Sequence, residues 1–303
     1  MPEKKSSVSN IIWAVDPFEG KLRPDTSEVE SWMMWAVNAG IRVQPVYILA
    51  LPPPPDSNGG KPQYNTQETA NVDNAIRNYL REINCRNSLA PEVLVSYDSH
   101  SGAAVERLLR YASQIEATAI LVSSRGRKGV DRFIFGSFAE NLLFQSPLPI
   151  IFLTHNHVPI LQSTQNKILF PTDFSTHSEK AFVKVLLIAK QCNAKVVLYH
   201  GVTNPISSAN DEFLKWINLA KAAGVDTDTI VENVGQSSNV ALSIIEVAKK
   251  QAVRFIAMAS SSGKLESVFL GSVAREVFRT NLFSIMTYGP IVFHEKESVY
   301  PTP

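Results

Sequence analysis

An ordered internal repeat constrains this chain more than any other feature of its sequence. Each half opens with an apolar run that ends in aspartate, Ile11–Asp16 in the first half and Lys167–Asp173 in the second. Each run is followed by the spacing of an amphipathic helix, and short apolar runs then alternate with further helical patterns. This alternation predicts a parallel sheet with helices on both faces. A length of 303 residues leaves room for two such domains of about 150 residues each.

The repeat predicts five strands in each half, with a helix after each of the first four. The second to fifth strands are predicted, in pairs from the two halves, at Val43–Leu49 and Lys195–Val202, Glu92–Tyr97 and Thr229–Val234, Ala119–Val122 and Phe255–Met258, and Pro149–Thr154 and Phe283–Tyr288. The first helices are predicted to begin at capping boxes, Ser27 with Glu30 and Thr176 with Glu179. The predicted fold class is α/β, with two doubly wound parallel-sheet domains of Rossmann-like or flavodoxin-like architecture in tandem.

The repeat also predicts where the domains begin and end. Domain 1 is predicted at residues 8–154 and domain 2 at residues 167–294, joined by a polar linker at 155–166. The first half is longer, and most of its extra length falls at about 51–65, a stretch with four consecutive prolines and two glycines. Such residues cannot continue a strand or a helix, so a long surface loop is expected. Two interpretations stay open: a decorative insertion, or a lid or partner-docking loop.

Composition excludes several classes of protein. The formal net charge of +1 gives no reason to expect a nucleic-acid or membrane partner. No apolar run is long enough to span a membrane, and the polar segment Met1–Asn10 lacks the apolar core of a secretory signal. Cys85 and Cys192 are far apart in sequence and are expected to be free thiols in a reducing compartment. A cytoplasmic protein is therefore expected.

The loop Ser123–Ser137, at the end of the fourth predicted strand, is the best candidate for binding chemistry. Ligands of open parallel sheets bind beyond the carboxyl ends of the strands, at the point where the strand order reverses. The loop combines glycines, the basic residues Arg125, Arg127 and Lys128, and a following helix N-terminus. It could therefore hold phosphate. The alternative is a tight strand–helix connection whose basic residues are solvated.

The spacing in this loop resembles the nucleotide-binding signature of the universal stress protein family. Gly126 is followed after nine residues by Gly136-Ser137, downstream of an aspartate that ends the first strand. The resemblance covers most of Val8–Thr154 and Asn166–Tyr288. It implies HUP-type domains in which this loop wraps the phosphates and ribose of ATP, while the strand-one aspartate and a strand-two apolar residue hold the adenine. Family dimers commonly meet along strand five, so it also implies an internal pseudo-dimer in which the two fifth strands meet.

Carried over residue by residue, the resemblance implies an adenine-nucleotide site in the first half. The matching residues are Asp16, Ile48, Val122, Ser123, Gly126, Gly136, Ser137 and Phe138. Ser123 replaces the first glycine of the pattern, and Asp16-Pro17-Phe18 departs from the family's Asp-x-Ser-x-x-Ser. The expected ligand is ATP or AMP, with magnesium as an optional companion of the phosphates.

The second half departs from the pattern in the opposite way. Asp173-Phe174-Ser175 with Ser178 fits Asp-x-Ser-x-x-Ser, and Gly271-Ser272 is kept. However, Met258 and Ser261 stand where the loop glycines are expected, and a methionine side chain is expected to obstruct phosphate or ribose. The second site is therefore predicted to be degenerate. Its residues are Asp173, Gly201, Met258, Ser261, Gly271 and Ser272.

Other candidate residues form no recognisable catalytic constellation. His155 and His157 lie in the predicted linker without further ligands nearby, so no metal site is expected. Three hypotheses follow: a non-enzymatic stress-response protein that binds an adenine nucleotide in domain 1, an interaction module that has lost nucleotide binding and acts on partners or another small ligand, and a nucleotidyl-transfer enzyme. The first is favoured, because no general base or metal constellation supports the third. Whether ATP is hydrolysed, and whether the chain forms a homodimer, stay open.

Overall fold

The computed structural model of the chain describes residues 9–18, 26–51, 66–85, 88–98, 100–123, 137–154, 166–202, 209–235, 239–259 and 271–289. Ten strands and eight helices lie within these ranges. The predicted linker, except for Asn166, and residues 52–65 of the predicted insertion fall outside them.

The two halves repeat the same order of elements. The first half consists of β1 Asn10–Ala14, α1 Thr26–Asn38, β2 Arg42–Ala50, α2 Thr66–Glu82, β3 Glu92–Ser96, α3 Ser101–Gln114, β4 Ala117–Ser123, α4 Ser137–Gln145 and β5 Ile150–Leu153. The second half consists of β6 Lys167–Pro171, α5 Thr176–Gln191, β7 Lys195–Val202, α6 Ala209–Ala223, β8 Thr227–Asn233, α7 Val240–Lys250, β9 Phe255–Ala259, α8 Ser272–Thr280 and β10 Ile285–Tyr288. Every predicted strand is present, with shifts of a few residues at the ends.

The predicted capping boxes are wrong in position. Ser27 and Thr176 lie inside their helices rather than at the caps. The cap of α5 is Ser175, because its backbone is extended and its Oγ accepts the N–H of Ser178 at 3.2 Å. Glu179 instead contacts Lys215 Nζ at 2.7 Å. This correction matters for the site, since it places two serine hydroxyls beside the end of β6.

The described strands form one sheet in the order β3-β2-β1-β4-β5-β10-β9-β6-β7-β8. Neighbouring strands are parallel except β5 and β10, which pair antiparallel with Ile285 opposite Phe152 and Thr287 opposite Ile150. The chain order reverses between β1 and β4 and again between β6 and β9, which gives one switch point in each half. The α/β fold with two doubly wound halves in tandem is confirmed. Because the halves join antiparallel, their switch points open at opposite edges of the sheet.

Helices cover both faces of this sheet. One buried cluster lies under α1, α2, α5 and α6 and includes Trp13, Phe170 and Trp216. The other lies under α3, α4, α7 and α8 and includes Ile12 and Leu169. Successive strand residues point to opposite faces, so neighbours such as Ile12 and Trp13 enter different clusters. Burial on both faces explains why the central strands read as continuous apolar runs.

A buried polar cluster joins α1 of the first half to the second half. Glu28 is 1% exposed, and its Oε1 accepts hydrogen bonds from Trp32 Nε1 at 2.8 Å and from Ser284 Oγ at 2.5 Å. The guanidinium carbon of Arg254 lies 4.9 Å from the centroid of the Trp32 ring, and its Nη1 donates to Ser31 Oγ at 2.6 Å. That Nη1 is 4.0 Å from Glu28 Oε2. The cluster thus contains a buried ion pair whose partners come from different halves.

A close backbone contact joins the halves on the opposite face of the sheet. Gly289 follows β10 and lies against the C-terminal turn of α4. A Cβ atom on Gly289 would be 1.8 Å from the carbonyl oxygen of Leu143, whereas real Cβ contacts are essentially never shorter than 3.0 Å. Only glycine allows this approach.

Both cysteines are free thiols, as the sequence predicts, and the structure shows that both are buried. Burial raises the pKa of the Cys192 thiol to about 12. Burial also raises the pKa of Cys85, although hydrogen bonds from Ser88 oppose the shift. The thiolate is the reactive form of cysteine, so neither residue is suited to nucleophilic chemistry at neutral pH.

Candidate functional site

The first-half residues predicted to bind nucleotide gather at the carboxyl edge of the sheet. Ala14 at the end of β1 is flanked by Val46 of β2 and Val122 of β4. Asp16 follows β1 by two residues, and Ile48 lies two residues beyond Val46, so both lie at this edge. Ser123 ends β4. These positions surround the switch point between β1 and β4.

Local contacts fix Asp16 and its neighbours. The backbone N–H of Phe18 donates to Asp16 Oδ1 at 2.9 Å. The Phe18 ring is exposed and contacts Tyr47 edge-on, with ring centroids 5.8 Å apart. Burial raises the pKa of the Tyr47 phenol, and the nearby Asp16 carboxylate raises it further. The edge is therefore partly aromatic and carries a negative charge at Asp16.

The remaining first-half residues lie around β4 and α4. Val122 is buried, whereas Ser123 is half-buried. Ser137 is exposed at the first position of α4, and Phe138 packs beside the second core cluster. Gly126 and Gly136 lie outside the described residues. Six of the eight predicted residues can thus be located, and all six lie at or beside the carboxyl ends of β1, β2 and β4.

The second half contains a cavity of about 390 Å³ at its own carboxyl edge. Five of the six residues predicted as a degenerate site line it: Asp173, Gly201, Met258, Gly271 and Ser272. Ser261 lies outside the described residues. Ser175 and Ser178, which the Asp-x-Ser-x-x-Ser pattern singles out, also line it. Sequence reasoning did not assign the remaining lining residues to the site: Pro171, Thr172, His177, Tyr199, His200, Val240, Ile244, Ala259, Val273 and Ala274. Met258, predicted as an obstruction, forms part of a wall around open space.

Asp173 is held at the cavity by a small network of serines. Its Oδ1 accepts the N–H of Ser175 at 3.0 Å and the hydroxyl of Ser178 at 2.6 Å. Burial raises the pKa of the Asp173 carboxyl, but hydrogen bonds from Ser178 and Ser175 outweigh burial and hold the pKa below its ordinary value. Asp173 is therefore a carboxylate at neutral pH. The Asp-x-Ser-x-x-Ser pattern supplies this arrangement.

A tight turn carries the chain from β6 past the cavity to α5. Phe174 has a positive φ of 60°, and its N–H donates to Thr172 Oγ1 at 2.9 Å. The Phe174 ring packs 4.5 Å from the His200 ring, centroid to centroid. His200 Nδ1 lies 2.8 Å from the Thr172 carbonyl oxygen, so Nδ1 carries the proton and Nε2 is an acceptor in the neutral ring. His200 is thus a half-buried, hydrogen-bonded residue of the cavity wall.

The phenol of Tyr199 occupies the space into which a side chain at position 201 would project. A Cβ atom on Gly201 would lie 2.9 Å from Tyr199 Oη. That hydroxyl donates to Ser243 Oγ at 2.8 Å, and Ser243 Oγ donates to Glu232 Oε2 at 2.7 Å. The phenol is therefore fixed over the position where residue 201 would project. The spacing Tyr199-x-Gly201 on one face of β7 is the sequence signal for this arrangement.

The cavity is closed at one side by the start of α8. Gly271 is the N-cap and has no side chain with which to cap the helix. Backbone N–H groups at a helix N-terminus favour electron-rich ligand atoms. Among the described residues, no group of histidine, cysteine or carboxylate side chains could hold a metal ion. His155 and His157 lie outside those residues.

Both halves match one family model, that of the universal stress protein family, over residues 11–153 and 165–281. The chain belongs to the universal stress protein family. A universal stress protein from Archaeoglobus fulgidus DSM 4304 aligns over 93% of this chain and 99% of its own, with 14% identity and a TM-score of 0.63. A functionally unknown protein from Pseudomonas aeruginosa PAO1 aligns over 95% of each chain, with 13% identity and a TM-score of 0.54. These structures share the fold; a search of curated proteins found no match.

Replacing Ser178 by alanine is expected to raise the pKa of Asp173, because it removes the 2.6 Å hydroxyl donor. A depressed carboxyl pKa stabilises the fold above the unfolded-state value, and that stabilisation is lost as the pH falls through the folded-state pKa. The variant should therefore lose stability at neutral pH and approach wild type in acid. An NMR titration of the Asp173 carboxyl carbon measures the shift, with Ser272→Ala as the matched control. An unchanged pKa in Ser178→Ala would contradict the assignment.

Proposed function

We propose that this chain is a non-enzymatic stress-response protein that binds an adenine nucleotide, ATP or AMP, at the carboxyl edge of its first half. The observation that carries the proposal is the order and register of β2, β1 and β4, whose carboxyl ends lie side by side. Asp16 follows β1 by two residues, Ile48 lies near the end of β2, and Ser123 ends β4. Open parallel sheets bind ligands at this point. Membership of the universal stress protein family supports the same conclusion.

Five of the eight first-half residues have a defined role in this proposal. Asp16 and Ile48 hold the adenine side, as the family resemblance implies. Gly126 and Gly136 let backbone N–H groups approach the phosphates. Ser137 is the first residue of α4, so its backbone N–H belongs to a helix N-terminus that favours phosphate. Magnesium would enter with the phosphates and share their charge. The basic residues of the loop supply the remaining positive charge.

We further propose the domain division 8–154 and 167–294, with 155–166 as the linker, and a cytoplasmic location. None of the described helices has the length and apolar character required for a membrane span. The antiparallel β5–β10 pair supports an internal pseudo-dimer. A homodimer of the whole chain is testable by light scattering.

The released ligand tests the proposed function. Purified protein is denatured, and the released small molecules are identified and counted by mass spectrometry. ATP or AMP near one per chain supports the proposal. Release of no nucleotide, together with no thermal shift on adding ATP and magnesium, contradicts it. That outcome favours an interaction module without a nucleotide.

Replacing Gly126 by valine is expected to abolish stabilisation by ATP, because a β-branched side chain blocks backbone approach to phosphate. At a hundredfold excess of ATP over Kd, binding stabilises the wild type by about 2.7 kcal/mol. A chain of 303 residues should then melt roughly 4 °C higher. Scanning calorimetry with and without ATP measures the shift, and Ser261→Val is the matched control. A wild-type shift in Gly126→Val would show that this loop is not the site.

A further inference from the structure

Helices α1 and α5 lie side by side on one face of the sheet, over the join between the halves. The ring of Trp32 in α1 is 5.2 Å from the ring of Phe255 in β9, centroid to centroid, and α5 packs on the same strand. Trp32 Nε1 also lies 3.2 Å from Ser284 Oγ, directly before β10. Each helix runs against its own strands and the halves join antiparallel, so α1 and α5 run in opposite directions. We call their outward faces the α1–α5 surface.

Large apolar side chains are exposed on the α1–α5 surface. Met34 of α1 is 65% exposed, Leu187 of α5 is 63% exposed, and Val37, one turn along α1, is 41% exposed. Met34 and Leu187 are equivalent in the two repeats, because each lies two residues before an alanine whose carbonyl accepts the N–H of the residue five positions later. Single exposed apolar residues are common, but a group of them on two neighbouring helices indicates an interaction surface.

The two helices of this surface carry opposite charge. The exposed charged residue of α1 is Glu30, and α1 contains no lysine or arginine. In α5, Lys184 and Lys190 are exposed, whereas Glu179 is paired with Lys215 of α6. Among the ion pairs of the described residues, none involves Glu30, Lys184 or Lys190. An acidic helix with exposed apolar side chains therefore lies beside a basic one.

We propose that the α1–α5 surface is the interface of a homodimer in which α1 of each copy packs on α5 of the other. A second copy, turned by half a turn about an axis parallel to these helices, makes both contacts at once, as a twofold interface requires. The other twofold arrangement places α5 against α5 and brings lysines onto lysines, so charge favours the first. The interface lies on a face of the sheet and the candidate ligand sites at its edges, so the dimer does not depend on nucleotide binding.

The proposed dimer pairs particular residues. A half-turn about an axis parallel to the helices keeps their directions, so α1 of one copy is antiparallel to α5 of the other. Met34, near the join between the halves, then contacts Leu187 of the second copy. Glu30, four residues before Met34, faces Lys190 of the second copy, three residues after Leu187. The apolar contact is therefore flanked by an ion pair on each side of the twofold axis.

Light scattering of the full-length chain over a range of concentrations tests the proposal. The wild type should reach twice the 33.5 kDa of one chain and dissociate on dilution. Met34→Asp combined with Leu187→Asp places carboxylates at the centre of the interface. It should raise the dissociation constant of the dimer about thirtyfold or more, the effect of losing a central hot-spot contact, without changing the far-UV circular dichroism. Leu242→Asp is the matched control, because Leu242 is 55% exposed on α7, which covers the opposite face of the sheet.

A charge swap tests the pairing of α1 with α5. Glu30→Lys alone and Lys190→Glu alone should each weaken the dimer, because each sets like charges opposite one another. The two substitutions together restore opposite charges and should return the dissociation constant toward the wild-type value. Added salt should weaken the wild-type dimer, since the ion pairs lie at the rim of the interface.

Three outcomes would overturn the proposal. The first is a wild type that stays monomeric at every concentration. The second is a dimer that Met34→Asp with Leu187→Asp leaves intact, or that Leu242→Asp breaks to the same extent, since the interface would then lie elsewhere. The third is a charge swap that is no tighter than its single variants, because α1 would then not face α5. Failure of the proposed function has a different signature, namely no ATP binding while the dimer still depends on Met34 and Leu187.

Discussion

Replacing Gly289 by alanine is expected to lower the melting temperature by roughly 5 °C, because the new Cβ would lie 1.8 Å from the carbonyl oxygen of Leu143. The atom in the way is a backbone carbonyl oxygen, so no flexible side chain can move aside. The strand end of β10 and the last turn of α4 must separate by more than an ångström. Overpacking of this severity costs about 3 kcal/mol, the upper end of the usual range. Calorimetry on the full chain measures the loss.

Gly102→Ala is the matched control for this prediction. Gly102 lies in the first turn of α3, and a Cβ atom placed there meets nothing within 4 Å. Alanine is a better helix former than glycine, so the melting temperature should stay constant or rise slightly. If Gly289→Ala melts like Gly102→Ala, the contact between β10 and α4 is looser than the structure describes.

Replacing Arg254 by methionine is expected to destabilise the chain by about 3–5 kcal/mol, the cost of leaving one partner of a buried ion pair alone. Glu28 is 1% exposed and would lose the guanidinium beside its Oε2, while Trp32 Nε1 and Ser284 Oγ, which are neutral donors, still reach Oε1. Burial lowers the pKa of Arg254, while the Glu28 carboxylate opposes that shift. Chemical denaturation followed by tryptophan fluorescence measures the loss, since Trp32 lies within the cluster.

A double-mutant cycle separates the ion pair from simple loss of packing. Glu28→Leu combined with Arg254→Met removes both charges, so the double variant should be more stable than Arg254→Met alone. Arg275→Met removes an exposed arginine on α8 and should change stability by less than about 0.5 kcal/mol. If the two single substitutions are simply additive in the double variant, the pair does not couple the halves.

The sequence predicts the repeated elements because burial on both faces leaves a strong apolar signal in each strand. It does not predict which contacts hold the halves together. Ala36 and Ala189 are equivalent in the two repeats, because the carbonyl of each accepts the N–H of the residue five positions later. Counting back eight residues from each shows that Ala181 of α5 takes the place of Glu28. The ion pair with Arg254 therefore breaks the repeat, and its partners are more than two hundred residues apart. Nothing local in either segment marks it.

At the candidate sites, too, the sequence predicts local features and does not predict how distant residues come together. The Asp-x-Ser-x-x-Ser pattern predicts the network around Asp173, because its spacing sets a turn and a helix cap. The family pattern alone made the second half a degenerate nucleotide site, yet five of those six residues surround a cavity. Met258, which was predicted to replace a loop glycine, is one of the residues that line this cavity, together with Gly201 and Tyr199 of β7.

The stoichiometry of ATP binding tests the central claim most directly. Isothermal titration of the full-length chain with ATP and magnesium should give one site per chain, and Asp16→Asn should weaken that site. Zero sites would contradict nucleotide binding by the first half. Two equivalent sites would contradict the prediction that the second-half site is degenerate.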